Sequence, residues 1–371
     1  MPSDDGPDVH GSDASHTRAP VDVGLLSPGT VGFDEPVTDA AFLAALVTAE
    51  VALARAWADA GVAYEKDEIS ARFGWAGAGQ LCRAHIVEAD ALAEGSVAGG
   101  NPVLPLISAM KAALDPGLRD AIHRGATSQD IVDSAMMLLS RRAAAQVVDH
   151  LVQTEGALAA FASAHRDQAA AARTLTQHAV PTTVGLRAAN WLLGVRRART
   201  RLEAVSAGLP AQLGGAAGTL AALDRLAIRD LGTGAAGVAE GLPAAFAAEL
   251  GLAAPEAPWH TTRWPVTELG DALVQAIDAV GGLAADVATL SRTEIGELTE
   301  GAGGGSSAMP QKRNPTASVL IRSAAIRAPH LGATLHAASA LAVDERPDGA
   351  WHAEWATLRE LRSAASWKDT R

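Results

Sequence analysis

Apolar residues recur every three or four positions along several long stretches of this chain, a spacing typical of amphipathic helices. In the clearest stretch they fall at Val266, Leu269, Leu273, Ala276, Val280, Leu283, Val287 and Leu290. This spacing predicts one helix from Pro265 to Leu298, on the order of 50 Å long. The Gly281-Gly282 pair inside it costs helix stability, about 1 kcal/mol for each glycine, and indicates either close approach of a neighbouring helix or a bend.

Three more long helices are predicted: Ile131 to Ala172, with or without an interruption; Thr183 to Leu209; and one that begins after Pro315 and ends near Ala340. Alanine is abundant, alternating Val/Ile runs are absent and aromatic residues make up only 4% of the chain, which leaves little from which to build strands. We therefore predict an all-α fold, a bundle of long helices. In a single copy such helices would leave apolar stripes exposed to water, so we expect a homo-oligomer.

Breaks in the helical pattern indicate where the chain divides. Residues 1–22 are rich in Asp, Ser, Gly and His and are predicted to be a disordered lead. Proline interrupts the pattern at Asn101-Pro102, and a polar turn interrupts it again at Val343 to Gly349. We predict an N-terminal helical domain at 23–100, a central long-helix bundle at 101–341 and a truncated C-terminal helical segment at 342–371.

Composition narrows the class of protein. The 371 residues include 42 acidic and 30 basic ones, a net charge of −12, which disfavours nucleic acid as a partner. We find no basic start with an apolar core, as in a signal peptide, and expect no apolar run of the roughly 18 residues that a membrane helix needs. Cys82 is the only cysteine, which excludes an intrachain disulfide and fits a reducing cytoplasm.

The segment most informative about chemistry is Gly305 to Pro315, which reads Gly-Ser-Ser-Ala-Met-Pro-Gln-Lys-Arg-Asn-Pro and follows a run of glycines. It could be a flexible linker with solvated charges, as glycine-rich stretches usually are. The prolines at 310 and 315, however, stiffen what a linker would leave loose. A mobile loop with the hydroxyls of Ser306 and Ser307, followed by Lys312 and Asn314, offers a proton-transfer group beside a carboxylate-binding site, as β-elimination requires.

This segment resembles the signature Gly-Ser-Ser-x-x-Pro-x-Lys-x-Asn of the fumarase, aspartase and argininosuccinate lyase superfamily at every specified position. The resemblance implies a long-helix bundle and a homotetramer in which three subunits contribute to each active site. It implies a small-molecule carboxylate substrate and no metal or organic cofactor. It also implies that a loop serine, aligned with Ser306, takes part in proton transfer. Ser307 and Asn314 are predicted to bind substrate.

A second motif is His123-Arg124-Gly125-Ala126-Thr127-Ser128-Gln129-Asp130. Taken alone it is explained equally well by capping, with Thr127 or Ser128 as the helix cap and Asp130 in the first turn. It also resembles the superfamily element His-x-Gly-x-Thr-Ser-x-Asp, in which the helix start holds a substrate carboxylate. The resemblance therefore implies substrate binding by His123, Thr127, Ser128 and Gln129.

A third motif runs from Arg173 to Thr183, before a predicted helix that carries Trp191. Its histidine, His178, could be a capping or core residue. The motif resembles the superfamily's second element, in which many members carry Thr-His where this chain has Thr174 and Leu175. With leucine there, an acid or base from this element would have to be His178, because an imidazole titrates near neutrality. Thr174 and Gln177 are predicted to bind substrate, and Trp191 either covers it or belongs to the core.

The combination of Leu175 with His178 resembles the bacterial 3-carboxy-cis,cis-muconate cycloisomerase branch of the superfamily. Further strings that support this branch are Gly24 to Pro28, Asn101 to Leu106 and Asp344 to Trp355. That branch closes 3-carboxymuconate to γ-carboxymuconolactone in protocatechuate breakdown. The resemblance implies that Lys312 and Asn314 stabilise the transient negative charge, and that Arg346 and His123 bind carboxylates of the tricarboxylate substrate.

Two alternatives for proton transfer stay open. A serine needs a large decrease in pKa to act as a base, whereas an imidazole needs almost none, so chemistry favours His178 and resemblance favours Ser306.

The chain also departs from the branch. Gln311 stands where lactonizing relatives usually have histidine, and the resemblance ends after Leu361, before most of the small C-terminal helical domain that moves over the site in relatives. The rival interpretations are an adenylosuccinate-type lyase, disfavoured by Leu175 and by the lack of a clear phosphate site, and a catalytically inactive helical homologue.

Overall fold

The computed structural model describes residues 24–84, 86–301, 304–305, 309 and 311–366. The predicted N-terminal lead and both loop serines, Ser306 and Ser307, lie outside these residues. In the described part the helices are α1 (Asp39–Asp59), α2 (Lys66–Arg72), α3 (Ala89–Gly99), α4 (Val103–Ala112), α5 (Ser128–Ala164), α6 (Val184–Ala207), α7 (Ala221–Leu231), α8 (Val238–Leu250), α9 (Trp264–Leu290), α10 (Thr316–Ala340) and α11 (Gly349–Ala365). Short 3-10 helices lie at Glu35–Val37, Pro116–Ala121 and Gly232–Ala235.

Four long helices form the bundle, which confirms the predicted all-α architecture. Helix α6 packs against α5 and α9, and α10 packs against α9 and α11. Arg263, just before α9, binds Asp133 near the beginning of α5. Glu297, a few residues after α9, binds Arg187 near the beginning of α6. The beginning of α9 thus lies beside the beginning of α5, and its end lies beside the beginning of α6, which follows the end of α5 in the chain. Helices α5 and α9 therefore run in the same direction. We call the end of the bundle at which α5 begins the α5-start end, and the other end lies opposite it.

That opposite end carries a β-hairpin, which we call the hairpin end. Strands β1 (Ala169–Thr174) and β2 (Gln177–Thr183) pair antiparallel between α5 and α6. The prediction that helix continues to Ala172 is therefore wrong: α5 ends at Ala164. Alanine favours helix, but the residues of β1 bond instead to a partner strand rich in Thr and Pro, so tertiary pairing overrides local propensity.

Helix α9 is also shorter than predicted, ending at Leu290 rather than Leu298. Gly296 adopts a positive φ of 60°, and the N–H groups of Glu297 and Leu298 both donate to the Leu290 carbonyl. The chain thus turns back over the helix end. At Gly281, an added Cβ would lie 2.5 Å from Cβ of Ala325 on α10, so close helix approach explains that glycine.

Two helices, α1 and α9, are long and apolar enough to span a membrane by length and composition, which corrects the expectation that the chain has no such run. The most apolar window of α1 is 83% buried, with Leu46, Leu53 and Trp57 completely enclosed. Helix α1 is thus the core of the N-terminal region, packed against α5 and α8. The corresponding window of α9 is only 39% buried, so one chain leaves much of its apolar surface uncovered.

Candidate active site

The start of α5 is held by one buried carboxylate. Thr127 occupies the N-cap position, and its N–H donates to Oδ2 of Asp130 at 2.9 Å. The same carboxylate accepts from the N–H groups of Gly214 and Gly215 and from Nε2 of His260, the last at 2.7 Å. Asp130 and His260 are both enclosed. The helix start, the 214–218 loop and the segment before α9 are therefore fixed relative to one another.

Arg346 lies directly on this helix start. Its Nη1 donates to Oγ1 of Thr127 at 2.6 Å, and its Nη2 donates to the carbonyl of Ala216 at 2.6 Å. The guanidinium is only partly buried. It adds a fixed positive charge to the partial positive charge of the α5 N-terminus, an arrangement suited to an anion.

His123 completes this group. Its backbone N–H donates to Oε2 of Glu50 at 2.8 Å, and its Nδ1 lies 2.7 Å from Oε1 of the same carboxylate. Burial by itself lowers the pKa of the imidazole, but the charge of Glu50, the hydrogen bond to it and the charge of Asp130 together raise that pKa above its ordinary value. The structure thus brings His123, Thr127, Ser128 and Arg346 to the α5-start end.

Gln129 does not share that surface. Its side chain is completely buried, and Nε2 donates to the carbonyl of His260 at 2.9 Å and to Oδ2 of Asp133 at 3.2 Å. One residue further along a helix lies about 100° around its axis, so Gln129 faces the core where Ser128 faces outward. Within one chain Gln129 therefore supports the helix start from inside, and its substrate-binding role stays a prediction.

At the hairpin end, Thr174 and Gln177 pair across the two-residue turn made by Leu175 and Thr176. Both turn residues have positive φ, 49° and 71°, which is uncommon for β-branched or bulky residues. Leu175 is 96% exposed. His178 lies in β2 opposite Arg173 and is exposed. Helix α6 begins at Val184 with Thr183 as its N-cap, close to the predicted start. His178, in β2 and exposed, neither caps that helix nor belongs to the core of one chain.

An ion-pair cluster ties the hairpin to the segment that leads into the glycine-rich loop. Arg173 of β1 and Arg187 of α6 donate to the two oxygens of Glu297, at 2.5 and 3.2 Å. The hydrogen bond from Arg173 is the main cause that lowers the pKa of Glu297 below its ordinary value, and Arg187 acts in the same direction. The hairpin therefore has a fixed position relative to the chain that precedes the loop.

The base of that loop is closed by backbone bonds. Gly304 and Asn314 exchange two N–H to carbonyl bonds of 2.9 Å each, and Nδ2 of Asn314 donates to the carbonyl of Gly305 at 3.3 Å. Glu300 accepts from the N–H groups of Ala317 and Ser318 at the start of α10. The Lys312 side chain is exposed, and its ammonium has no hydrogen-bond partner among the described residues.

Trp191 is a helix–helix contact in this structure. It is partly buried, and Nε1 donates to Oδ2 of Asp286 on α9 at 2.8 Å. Within one chain the contacts of Trp191 are therefore those of a packing residue, and its place over the substrate stays a prediction.

The predicted site residues thus fall into two groups. One lies at the α5-start end, and the other, with Thr174, Gln177 and His178, lies at the hairpin end. The 37 residues of α5 separate them, a length of about 55 Å. One chain does not bring the two groups together.

Sequence reasoning missed Glu50, His260 and Glu297. Each acts through a partner far away in the chain, so motif spacing carries no sign of it. One signal was available for Glu50: it stands alone as a charged residue inside the apolar run Ala49 to Leu53. A carboxylate in the middle of a core helix needs a partner.

Comparison with known proteins shows which family this chain belongs to. The family model described as "Lyase" matches residues 35–329. Nitrosuccinate lyase of Streptomyces davaonensis is 45% identical over 350 residues, which is 92% of this chain and 71% of that protein. The 3-carboxy-cis,cis-muconate cycloisomerase of Pseudomonas aeruginosa is 42% identical over 287 residues, which is 76% of this chain and 60% of that protein.

Solved structures agree with the fold. The crystal structure of 3-carboxy-cis,cis-muconate lactonizing enzyme from Pseudomonas putida superimposes with a TM-score of 0.77 at 34% identity, covering 90% of this chain and 71% of that one. Fumarate lyase from Mesorhizobium gives a TM-score of 0.75 at 32% identity. This chain therefore spans about 60 to 70% of the length of these relatives.

Proposed function

Because this chain belongs to the lyase family, we propose that it acts on a small polycarboxylate and that its reaction is the closure of 3-carboxy-cis,cis-muconate to γ-carboxymuconolactone. In that reaction one carboxylate oxygen adds to an activated double bond, and the carbon beside another carboxylate takes up a proton. Since an oxygen and a proton add across the double bond, the step is the reverse of an elimination. It takes place within one molecule, and no atom is lost. The main barrier is the negative charge that develops on the carboxylate next to the reacting carbon, and donors aimed at that charge lower the barrier.

The observation that carries the proposal is the group at the α5-start end. Arg346, bound to Thr127, and the charge-paired His123 flank a helix N-terminus. A chain with net charge −12 keeps a guanidinium and an imidazole of raised pKa here, which suits a substrate with three carboxylates. Four relatives named as 3-carboxy-cis,cis-muconate cycloisomerase, at 36 to 42% identity, add support.

We assign proton transfer to His178 or Ser306, and stabilisation of the charge to Lys312 with Asn314. Of the described residues among these, His178, Lys312 and Asn314 belong to the hairpin end. Since about 55 Å separates the two ends of α5, the proposal requires that different copies of the chain supply them. Apolar side chains on the outside of the long helices favour such association, among them Leu186, Leu193, Val319 and Ile326, each 52 to 69% exposed. We propose a homotetramer with shared sites.

A second candidate is β-elimination from nitrosuccinate. The specific observation in its favour is 45% identity to a nitrosuccinate lyase over 92% of this chain. That reaction would remove a proton from the carbon beside one carboxylate and expel nitrite from the neighbouring carbon. It needs the same stabilised negative charge, so the two candidates differ in substrate rather than in machinery.

One set of assays separates them. Purified protein is mixed in turn with 3-carboxy-cis,cis-muconate, followed by loss of the ultraviolet absorbance of the diene, and with nitrosuccinate, followed by release of nitrite. Adenylosuccinate and argininosuccinate serve as controls, and the Lys312→Met variant gives the background. We expect the muconate to be turned over with the highest kcat/KM. Faster nitrite release would establish the second candidate instead, and no turnover of any of the four would refute the proposed activity.

A further inference from the structure

Glu50 is a buried charge in the middle of α1, between the enclosed residues Ala49 and Val51. Its relative exposure is 0%, and a buried carboxylate is tolerated only when it is paired and hydrogen-bonded. Both of its oxygens are bonded by one residue, His123, through the backbone N–H at 2.8 Å and the ring Nδ1 at 2.7 Å. His123 therefore contacts both oxygens of this buried carboxylate.

His123 in turn depends on Glu50 for its conformation. Its φ is 61°, the left-handed region that few residues other than glycine adopt. The two bonds from one carboxylate fix both the backbone N–H and the ring. They also place the proton on Nδ1, so the remaining nitrogen, Nε2, carries a proton too when the ring is charged. Nε2 has no hydrogen-bond partner among the described residues, and the side chain keeps 17% of its surface exposed.

Three charged groups from the elements around His123 set its protonation. Glu50 of α1 and Asp130 of α5 favour the charged ring, and Lys111 of α4 opposes it. Burial also opposes the charged ring, but the net effect of these groups raises the pKa of His123 above its ordinary value. The neighbouring Arg346 and the start of α5 complete an anion-binding surface on which a neutral imidazole would contribute much less.

We propose that Glu50 is a positioning residue that keeps His123 protonated, so that Nε2 donates a charged hydrogen bond to a carboxylate of the substrate. This role rests on the proposed function. It makes His123 a binding cation rather than a base, and it assigns a purpose to a buried carboxylate that does not touch the substrate.

The test is Glu50→Gln. An amide can still accept the His123 N–H and donate to Nδ1 of the neutral ring, so the geometry is preserved while the charge is lost. We expect KM to rise about 10- to 100-fold near pH 7, the range for a charged hydrogen bond, with kcat changed by less than about threefold. In the wild type KM should rise as pH increases through the titration of His123, and in Glu50→Gln this rise should move to lower pH.

A direct readout does not need turnover. The ring proton signals of His123, assigned in NMR spectra by comparison with His123→Asn, should titrate at lower pH in Glu50→Gln than in the wild type. An unchanged titration would overturn the proposal whatever the substrate is. If the titration moves but KM for every tested carboxylate stays the same, the positioning role stands and the proposed binding function fails.

Two controls exclude a general loss of stability. Glu249→Gln removes a carboxylate that pairs with Arg55 of the same helix α1 at 2.9 Å, and it should leave KM and the His123 titration unchanged. The second control combines Glu50→Gln with His123→Asn, because asparagine tolerates the positive φ at this position. In that background Glu50→Gln should raise KM little further. A full additional loss there would show that Glu50 acts through some other group, contrary to the proposal.

Discussion

Arg346 and Thr127 lie 219 positions apart in the chain, yet Nη1 of the arginine donates to the threonine hydroxyl at 2.6 Å. The contact places the loop between α10 and α11 directly on the start of α5. It combines a cation, a hydroxyl and a helix N-terminus in one small area, an arrangement suited to binding an anion.

Replacing this arginine should weaken substrate binding. Arg346→Gln keeps a donor but removes the charge, so we expect KM to rise about 10- to 100-fold with a smaller decrease in kcat. Steady-state kinetics on 3-carboxy-cis,cis-muconate measure both. Arg359→Gln is the matched control, because Arg359 pairs with the exposed Asp39 away from this surface. Equal effects of the two variants would mean that Arg346 contributes only general charge.

His178→Ala should abolish most turnover, by about 100-fold or more, because general acid–base catalysis contributes at least that much. Circular dichroism and size-exclusion chromatography should show an unchanged fold and oligomer, since the side chain is exposed. His336→Ala, at an exposed histidine on α10, should retain wild-type rates. Ser306→Ala tests the competing group, and an unchanged rate in either His178→Ala or Ser306→Ala would exclude that residue from proton transfer.

The distance between the two ends of α5 leads to a mixing experiment. If different copies supply Arg346 and His178, the impaired variants Arg346→Gln and His178→Ala should regain activity when they are mixed, dissociated and reassembled. The assay uses a substrate concentration well below the raised KM of Arg346→Gln, so that each variant alone has little activity. Some mixed sites then contain neither substitution. We expect up to about a quarter of the wild-type rate, by the statistics of combining two intact surfaces at random. A mixture no more active than either variant would show that one chain supplies both groups.

Glu297 should control how firmly the hairpin is held. Glu297→Gln removes the ion pairs to Arg173 and Arg187, so we expect faster hydrogen exchange in β1 and β2 and a several-fold lower kcat, with Tm lowered by only about 2 °C.

Acid should likewise speed hydrogen exchange in the hairpin of the wild type. Because the folded-state pKa is depressed, the ion pairs contribute stability above the ordinary value of 4.5, and this contribution is lost as pH falls through the folded-state pKa. In Glu297→Gln, hairpin exchange should lack that acid-dependent step. A wild-type step that persisted in the variant would assign it to another group.

The buried cluster behind α11 should dominate local stability. Arg263 is 1% exposed and bridges Asp133 at 2.7 Å and Glu354 at 2.5 Å. Arg263→Met leaves two carboxylates buried without their cation, so we expect the free energy of unfolding to fall by about 3–5 kcal/mol, measured by urea denaturation. Arg359→Met, at a surface pair, should cost less than about 1 kcal/mol. A loss of that small size at Arg263 would show that water reaches the cluster.

The periodicity of apolar residues predicted the long helices well. Helix α10 was expected from after Pro315 to about Ala340 and is observed at Thr316–Ala340, and α6 was expected at Thr183 to Leu209 and is observed at Val184–Ala207. The amphipathic spacing is a local property, so it can be read without knowledge of the fold. The hairpin was missed because the alanine-rich sequence of β1 favours helix, and only its pairing with β2 makes it a strand.

The resemblance to the superfamily could be found from the sequence for the same reason. The motifs that carry it, at Thr127 and around Lys312, are short and continuous in the chain. Only the tertiary structure decided that Gln129 faces the core, that Glu50 binds His123 from 73 positions away, and that Arg346 reaches Thr127. Such contacts depend on how helices pack, which no local pattern specifies. The length of α5 likewise places His178 and Thr127 at opposite ends of one chain, because a helix is a rigid rod that rises a constant distance for every residue.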